Sequence, residues 1–215
     1  MTNPEPSMDR WQLVATPCTR TTLALAAWTP RLSTTEGSGF VISRDHVLTN
    51  AHVVAGVTSR QTVTTVTGRN LNATVVYYDP QVDVAVLYVP GLDLTPLQFA
   101  GAANPGDNAV VAGYPLDANA LHLVPARIGG VLNAQGPNIY QTDTVTRQIY
   151  EIRAVVKSGN SGGPLLSPAG TVAGVVFAAA VGVSDTGFAL TAAEVSADAS
   201  AGEQLTTAVS TGACD

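Results

Sequence analysis

The sequence predicts an all-β protein: two six-stranded antiparallel β-barrels followed by a short C-terminal helix. Three observations carry this expectation. Short runs rich in Val, Thr, Ile and Tyr recur along the chain with turn residues between them. They fall into two groups, separated by the loop Gly101 to Asp107 with its Asn104-Pro105-Gly106 turn. The gaps between runs are too short for the helical crossovers that a parallel sheet requires.

Residues 1–20 read as a proline-rich, polar arm without periodicity, and Leu23 to Trp28 as a first strand ended by Pro30. The remaining runs of the first group are Gly39 to Ser43, Val47 to Asn50, Thr62 to Val66, Leu71 to Tyr78 and Asp83 to Val89. Arg44-Asp45, Gly68-Arg69-Asn70 and Asp79-Pro80 supply turns. The second group comprises Asn108 to Tyr114, His122 to Leu132, Gln148 to Val155, Pro164 to Leu166, Thr171 to Ala180 and Thr186 to Thr191. Thr191-Ala192-Ala193-Glu194 then has capping-box spacing, and the alanine-rich run to about Gly202 reads as a helix packed on the second barrel. The parse is an arm (1–20), a first barrel (21–100), a second barrel (101–191), and a helix with tail (192–215).

Composition narrows the function classes. Charged residues make up 12% of the chain against 46% hydrophobic ones, enough apolar surface for a folded core. A net charge of −6 with Lys157 as the only lysine argues against a nucleic-acid partner and against anionic lipid. The longest apolar run, Val172 to Val183, falls short of the ~20 residues that span a bilayer. Met1 to Arg10 is broken by prolines and acidic residues and is no signal peptide, so the chain is a piece of a longer protein or has lost its export signal. Cys18 and Cys214 lie near opposite ends in polar segments. Two free buried thiols are one reading. A bridge closing nearly the whole chain is the other and the one favoured, because burial is unfavourable in such polar terminal segments; it would contribute on the order of 5 kcal/mol by the chain-entropy model and would place the protein outside the cytoplasm.

The stretch richest in chemistry is Gly159-Asn160-Ser161-Gly162-Gly163-Pro164. Glycines around one serine let the backbone turn sharply, lift the hydroxyl outward and aim two N–H groups at one spot, as acyl transfer needs. An inert glycine-rich turn is the alternative, and a partner base decides between them. Of three histidines, His46 sits in a polar turn and reads as solvated, while His122 in Leu121-His122-Leu123 reads as outward-facing or on a cleft rim. His52 ends a β run in Thr49-Asn50-Ala51-His52-Val53-Val54. Asp83, opening an apolar strand, is the candidate buried acid, whereas Asp79 before Pro80 reads as a turn former. The order His52, Asp83, Ser161 is that of chymotrypsin rather than of subtilisin or the α/β-hydrolases.

These blocks, Thr49 to Val54, Val82 to Leu87 and Gly159 to Leu165, resemble the catalytic blocks of HtrA-type, chymotrypsin-fold serine proteases. Glu36 to Ile42, Gly113-Tyr114-Pro115 and Gly187 to Leu190 match at the corresponding places, so the resemblance covers about residues 36–192. Within that clan, Pro125 to Ile128, Val176 to Ala180 and the ending Thr211-Gly212-Ala213-Cys214 resemble the actinobacterial membrane-anchored acid-resistance (MarP) proteases, as does a cysteine pair joining an N-terminal arm to the C-terminus. The gap from Cys18 to Glu36 is longer than in that family, and its membrane-spanning part is missing from this sequence.

The resemblance implies a serine endopeptidase of the cell envelope in stress or acid resistance, tethered in the full-length protein through a segment absent here. Ser161 is then the nucleophile, His52 the base, Asp83 its orienting acid, and the N–H groups of Gly159 and Ser161 the oxyanion hole; neither metal nor organic cofactor takes part. Asn160 stands where trypsin-like zymogens carry the aspartate that pairs with a new N-terminus, so activation of that kind is not expected. Counting back six residues from the serine puts Val155 at the pocket floor, faced by Phe177, Ala178 and Ala179, which implies a small to medium apolar preference. The partners implied are protein or peptide substrates, cell-wall-processing proteins among them, acted on by a monomer. An esterase using the same triad and a silent protease-like scaffold are the rival readings.

Overall fold

The structure, a computed structural model, describes residues 11–13, 22–25, 37–57, 61–116 and 120–213. Cys18 and Cys214 lie outside the described residues, as does the stretch from Ala26 to Pro30 that would complete the predicted first strand.

Among the described residues, thirteen strands and two helices follow one another. Strand β1 (Trp11–Leu13) joins the second sheet. The next six build the first barrel: β2 (Thr22–Leu25), β3 (Ser38–Ser43), β4 (His46–Thr49), β5 (Gln61–Thr64), β6 (Asn70–Asp79) and β7 (Val84–Tyr88), closed in the order β2-β3-β4-β7-β6-β5. The one-turn helix α1 (Ala51–Val54) follows β4. The second sheet contains β8 (Asn108–Gly113), β9 (His122–Pro137), β10 (Thr144–Arg153), β11 (Pro164–Leu166), β12 (Val172–Ala180) and β13 (Thr186–Thr191), closed by the β12–β13 pairing. Helix α2 (Ala192–Gly202) ends the regular structure.

The two-barrel prediction holds, with three departures. Strand β2 runs parallel to both neighbours, β3 and β5; the connection from Leu25 to Ser38 is long enough for a crossover. The arm, read as structureless, contributes β1 antiparallel to β12. Strand β9 also extends past Leu132 to Pro137, because its ladder with β10 continues from Leu132 opposite Ile149 to Pro137 opposite Thr144.

Alternating inward residues fill each barrel. Val41, Val47, Val63, Val75 and Leu87 pack inside the first, and Val111, Ile128, Ile152, Leu165 and Val176 inside the second. A third cluster joins them: Phe40, Leu48 and Val86 meet Ile149, Phe177, Phe188 and Leu190, with Val195 and Ala199 of α2 completing it. Helix α2 therefore leans on both barrels rather than on the second alone; Gly202 lies against Val86 and Tyr77 of the first. Half of its predicted capping box forms. Thr191 Oγ1 accepts the Glu194 N–H at 3.1 Å, but the Glu194 carboxylate takes the Gln148 N–H at 2.9 Å instead of returning to the cap. Beyond α2 the tail returns along the first barrel, where Val209 N–H donates to Val75 O and Gly56 N–H to Thr211 O.

Candidate active site

Strand β4, wholly buried, delivers the chain into α1, on whose first turn His52 sits. Ala51, Val53 and Val54 anchor that turn in the core. Asn50, at the N-cap position, makes no cap bond; its Nδ2 donates to Asp83 O at 2.9 Å, tying the histidine segment to the acid.

Asp83 is fully buried and sits just before β7 with φ of 72°, a left-handed conformation unusual for a residue bearing a side chain. The turn before it imposes this. Asp79 Oδ1 accepts the Gln81 and Val82 N–H groups, and Asp83 N–H donates to Asp79 O. Arg147, reaching across from β10, clamps the same turn: its Nε donates to Gln81 O at 2.7 Å and its guanidinium also reaches Pro137 O. Burial lowers the Arg147 pKa, while the charges of Asp83, Glu194 and Asp79 hold it up.

The acid and the histidine meet closely. His52 Nδ1 lies 2.8 Å from Asp83 Oδ2 and 3.0 Å from Oδ1, and Oδ1 also accepts the His52 backbone N–H at 2.9 Å. With its proton on Nδ1, the ring presents a lone pair at Nε2, which is buried and, among the described residues, bonded to no protein group.

The serine loop is pressed into place from two sides. Gly159 (φ 93°) passes so near Tyr114 O, and Gly162 (φ 80°) so near Ser38 O and Thr49 Oγ1, that a Cβ at either would collide; at Gly162 that Cβ would also lie 3.1 Å from Asn50 N. Ser161 is thereby packed against the segment leading into His52. No hydrogen bond joins Ser161 Oγ to His52 Nε2. The backbone N–H groups of Gly159 and Ser161 donate to no protein group among the described residues.

Ser38, to which the sequence assigns no role, ties the serine loop to the first barrel. Its N–H donates to Ser161 O at 2.6 Å, its Oγ donates to Gly159 O at 2.7 Å and accepts the Tyr114 N–H at 2.9 Å, and its carbonyl accepts Thr49 Oγ1. The only sequence trace of this was its place in the Glu36 to Ile42 block.

Other expectations change. His46 is buried, not solvated: Nδ1 bonds Ser43 Oγ at 2.9 Å and Nε2 bonds Leu205 O at 2.7 Å, fastening the tail to the first barrel. His122 is exposed at the start of β9. Val155 is 46% exposed, and the next residue, Val156, lies against Gly187. Phe177 and Ala178 are buried, and Ala179 is partly so. Asn160 is buried, and among the described residues neither atom of its side-chain amide has a partner. No group of three His, Cys, Asp or Glu is placed to hold a metal among the described residues.

Two fused barrels with a carboxylate–imidazole pair beside a glycine-braced serine define the class of chymotrypsin-like serine proteases. The chain belongs to the trypsin-like peptidase domain family, which matches residues 37–175. It is 50% identical over 182 residues to the serine protease Rv3671c of Mycobacterium tuberculosis, the MarP protease, covering 83% of this chain and 45% of that protein. A probable periplasmic DegP-like serine endoprotease of Chlamydia pneumoniae is 36% identical over 143 residues, 65% of this chain and 28% of the relative. The chain thus spans less than half the length of these relatives. The crystal structure of the active form of the Rv3671c protease superposes with a TM-score of 0.79 over 83% of this chain and 78% of that one, and the inactive form with 0.69 over 78% and 83%.

Proposed function

We propose that the chain is a serine endopeptidase in which Ser161 is the nucleophile, His52 the general base and then acid, and Asp83 the group that fixes the imidazole. The observation that carries this is the His52–Asp83 pair, which commits Nδ1–H to the carboxylate and leaves Nε2 as the acceptor beside the serine loop. Ser161 Oγ attacks the peptide carbonyl as its proton passes to Nε2, and the N–H groups of Gly159 and Ser161 hold the oxyanion. His52 then protonates the leaving amine. Water repeats the sequence in reverse to release the acid. Each oxyanion donor contributes about 3 kcal/mol to the transition state.

The wider setting rests on the relatives. An extracytoplasmic site, tethering through a segment outside this sequence, a role in stress or acid resistance of the envelope and a Cys18–Cys214 bridge follow from the MarP likeness and the DegP-like relative's periplasmic name. Asn160, neutral and buried, supports activity that does not wait for a new N-terminal amine.

The test is labelling by a fluorophosphonate, which reacts with an activated serine. Labelling that is lost in Ser161→Ala, together with cleavage of a protein substrate, supports the reading. Absence of labelling in the folded chain points to a silent scaffold, and turnover of esters without peptide cleavage points to an esterase.

A further inference from the structure

The two edges of β12 are occupied differently. One is paired with β13 from Gly174 to Ala179. Along the other, β11 pairs Val172 to Val175. Next, Val176 bonds the serine loop, its carbonyl accepting Gly162 N–H and its own N–H donating to Gly163 O. Beyond Val176 the same edge is taken by β1, with Leu13 opposite Ala178, Gln12 opposite Ala179 and Trp11 opposite Ala180.

This last stretch is the part of the edge adjoining Ser161. An edge strand beside a nucleophile offers alternating N–H and C=O groups by which an extended peptide adds as a further strand. Direction matters as much as position. Because β1 is antiparallel to β12, it runs toward the serine loop, its last residue paired nearest Val176. An extended substrate laid antiparallel on this edge, with the bond to be cut following its paired residues, would take the same course.

We propose that residues 11–13 of the chain's own arm occupy the strand-addition edge by which substrate reaches Ser161, and so compete with it. The inference rests on the serine protease reading and adds its regulation: the enzyme is restrained by occupancy of the peptide edge, and anything that draws the arm away frees it. Nothing in this device calls for a new N-terminal amine, which Asn160 could not pair with as a counter-charge. A tethered segment acts at an effective concentration in the millimolar range, so even a three-residue strand weakens apparent substrate affinity, here by on the order of tenfold.

The experiment compares the full chain with the Gln12→Pro, Leu13→Pro variant, in which two of the three paired residues lose their N–H donors, and with a chain lacking residues 1–13. In the Ser161→Ala background, where nothing is cut, a fluorescent extended peptide of small apolar residues is titrated. Binding about tenfold tighter in both altered chains is expected. With Ser161 present, KM falls by the same factor while kcat and the fluorophosphonate labelling rate stay unchanged, since the small probe does not need the edge. A blocked or extended N-terminus on the shortened chain should make no difference. Equal peptide affinity in the three chains overturns the inference, as does a gain seen only with a free new N-terminus. Failure of all chains to label Ser161 counts against the protease reading instead, and the binding comparison stands without it.

Discussion

The Asp83 carboxylate holds His52 at two points, its Oδ1 taking the backbone N–H at 2.9 Å and its Oδ2 the ring Nδ1–H at 2.8 Å. Helix α1 and the imidazole are therefore aligned by one buried acid. Asp83→Asn keeps the shape but can turn an amide N–H toward Nδ1, which favours the wrong tautomer. A fall in kcat of about 10⁴-fold is expected, with a melting temperature close to the parent's. Peptide turnover beside a thermal melt checks it.

Ser38 braces the serine loop from the first barrel through Ser161 O and Gly159 O. Ser38→Ala removes the Oγ bonds to Gly159 O and Tyr114 N–H and leaves both groups buried without that partner, at a cost of about 1–3 kcal/mol. The loss should appear in kcat more than in KM, because the loop carries the N–H groups of the proposed oxyanion hole. An unchanged kcat, measured on one peptide across its saturation range, would remove Ser38 from the positioning machinery.

Gly159 and Gly162 test the same packing from the other side. Gly162→Ala would strike Ser38 O and Thr49 Oγ1 at a backbone φ of 80°. Loss of activity together with a destabilisation of at least 1–3 kcal/mol is expected, read by labelling and by urea unfolding. Gly170, also at positive φ but with nothing near its Cβ position, is the control: Gly170→Ala should keep full labelling.

How far the sequence reveals this molecule depends on the range of the interactions concerned. The barrels were legible because alternation and turn residues are local, and His52, Asp83 and Ser161 because each sits in a short distinctive block. Ser38 was not, since its bond to Gly159 spans 121 residues and a small polar residue in a strand carries no local mark. His46 misled for the same reason: a polar turn suggests solvent, and only the returning tail, 159 residues later, buries it. Strand β1 escaped notice because its partner edge exists only once the second barrel has closed. Which of Val155 and Val156 lies against Gly187 is likewise decided by the fold, since counting back from the serine carries no such information.

Arg147 is nearly buried, and its guanidinium spans Gln81 O in the acid-bearing turn and Pro137 O at the end of β9. Arg147→Met keeps the length of the side chain but leaves both carbonyls without their donor. A loss of about 1–3 kcal/mol is expected, and with it a lower kcat, because the turn that sets Asp83 at positive φ loses its brace from the second barrel. Urea unfolding and peptide turnover measured on one preparation check both parts; a variant as stable and as fast as the parent would mean that Asp79 alone sets the turn.

The contact between Tyr77 and Asp198 makes stability depend on pH. Tyr77 donates to Asp198 Oδ1 at 2.7 Å where α2 crosses the first barrel, and Oδ2 is buried without a partner. Burial raises the Asp198 pKa, the Tyr77 hydrogen bond opposes the rise, and the charges of Asp79 and Glu194 add to it. A carboxyl that binds its proton more tightly folded than unfolded contributes stability that is complete below the unfolded value and is lost as pH rises through the raised folded value. Ionised Asp198 is thus a cost at neutral pH and none in acid. Asp198→Asn, which mimics the neutral acid, should raise the melting temperature at pH 7, and the gain should shrink to nothing as pH falls to about 3.9. Melting curves of the two chains between those limits decide it, and a difference that stays constant with pH would remove Asp198 as the source.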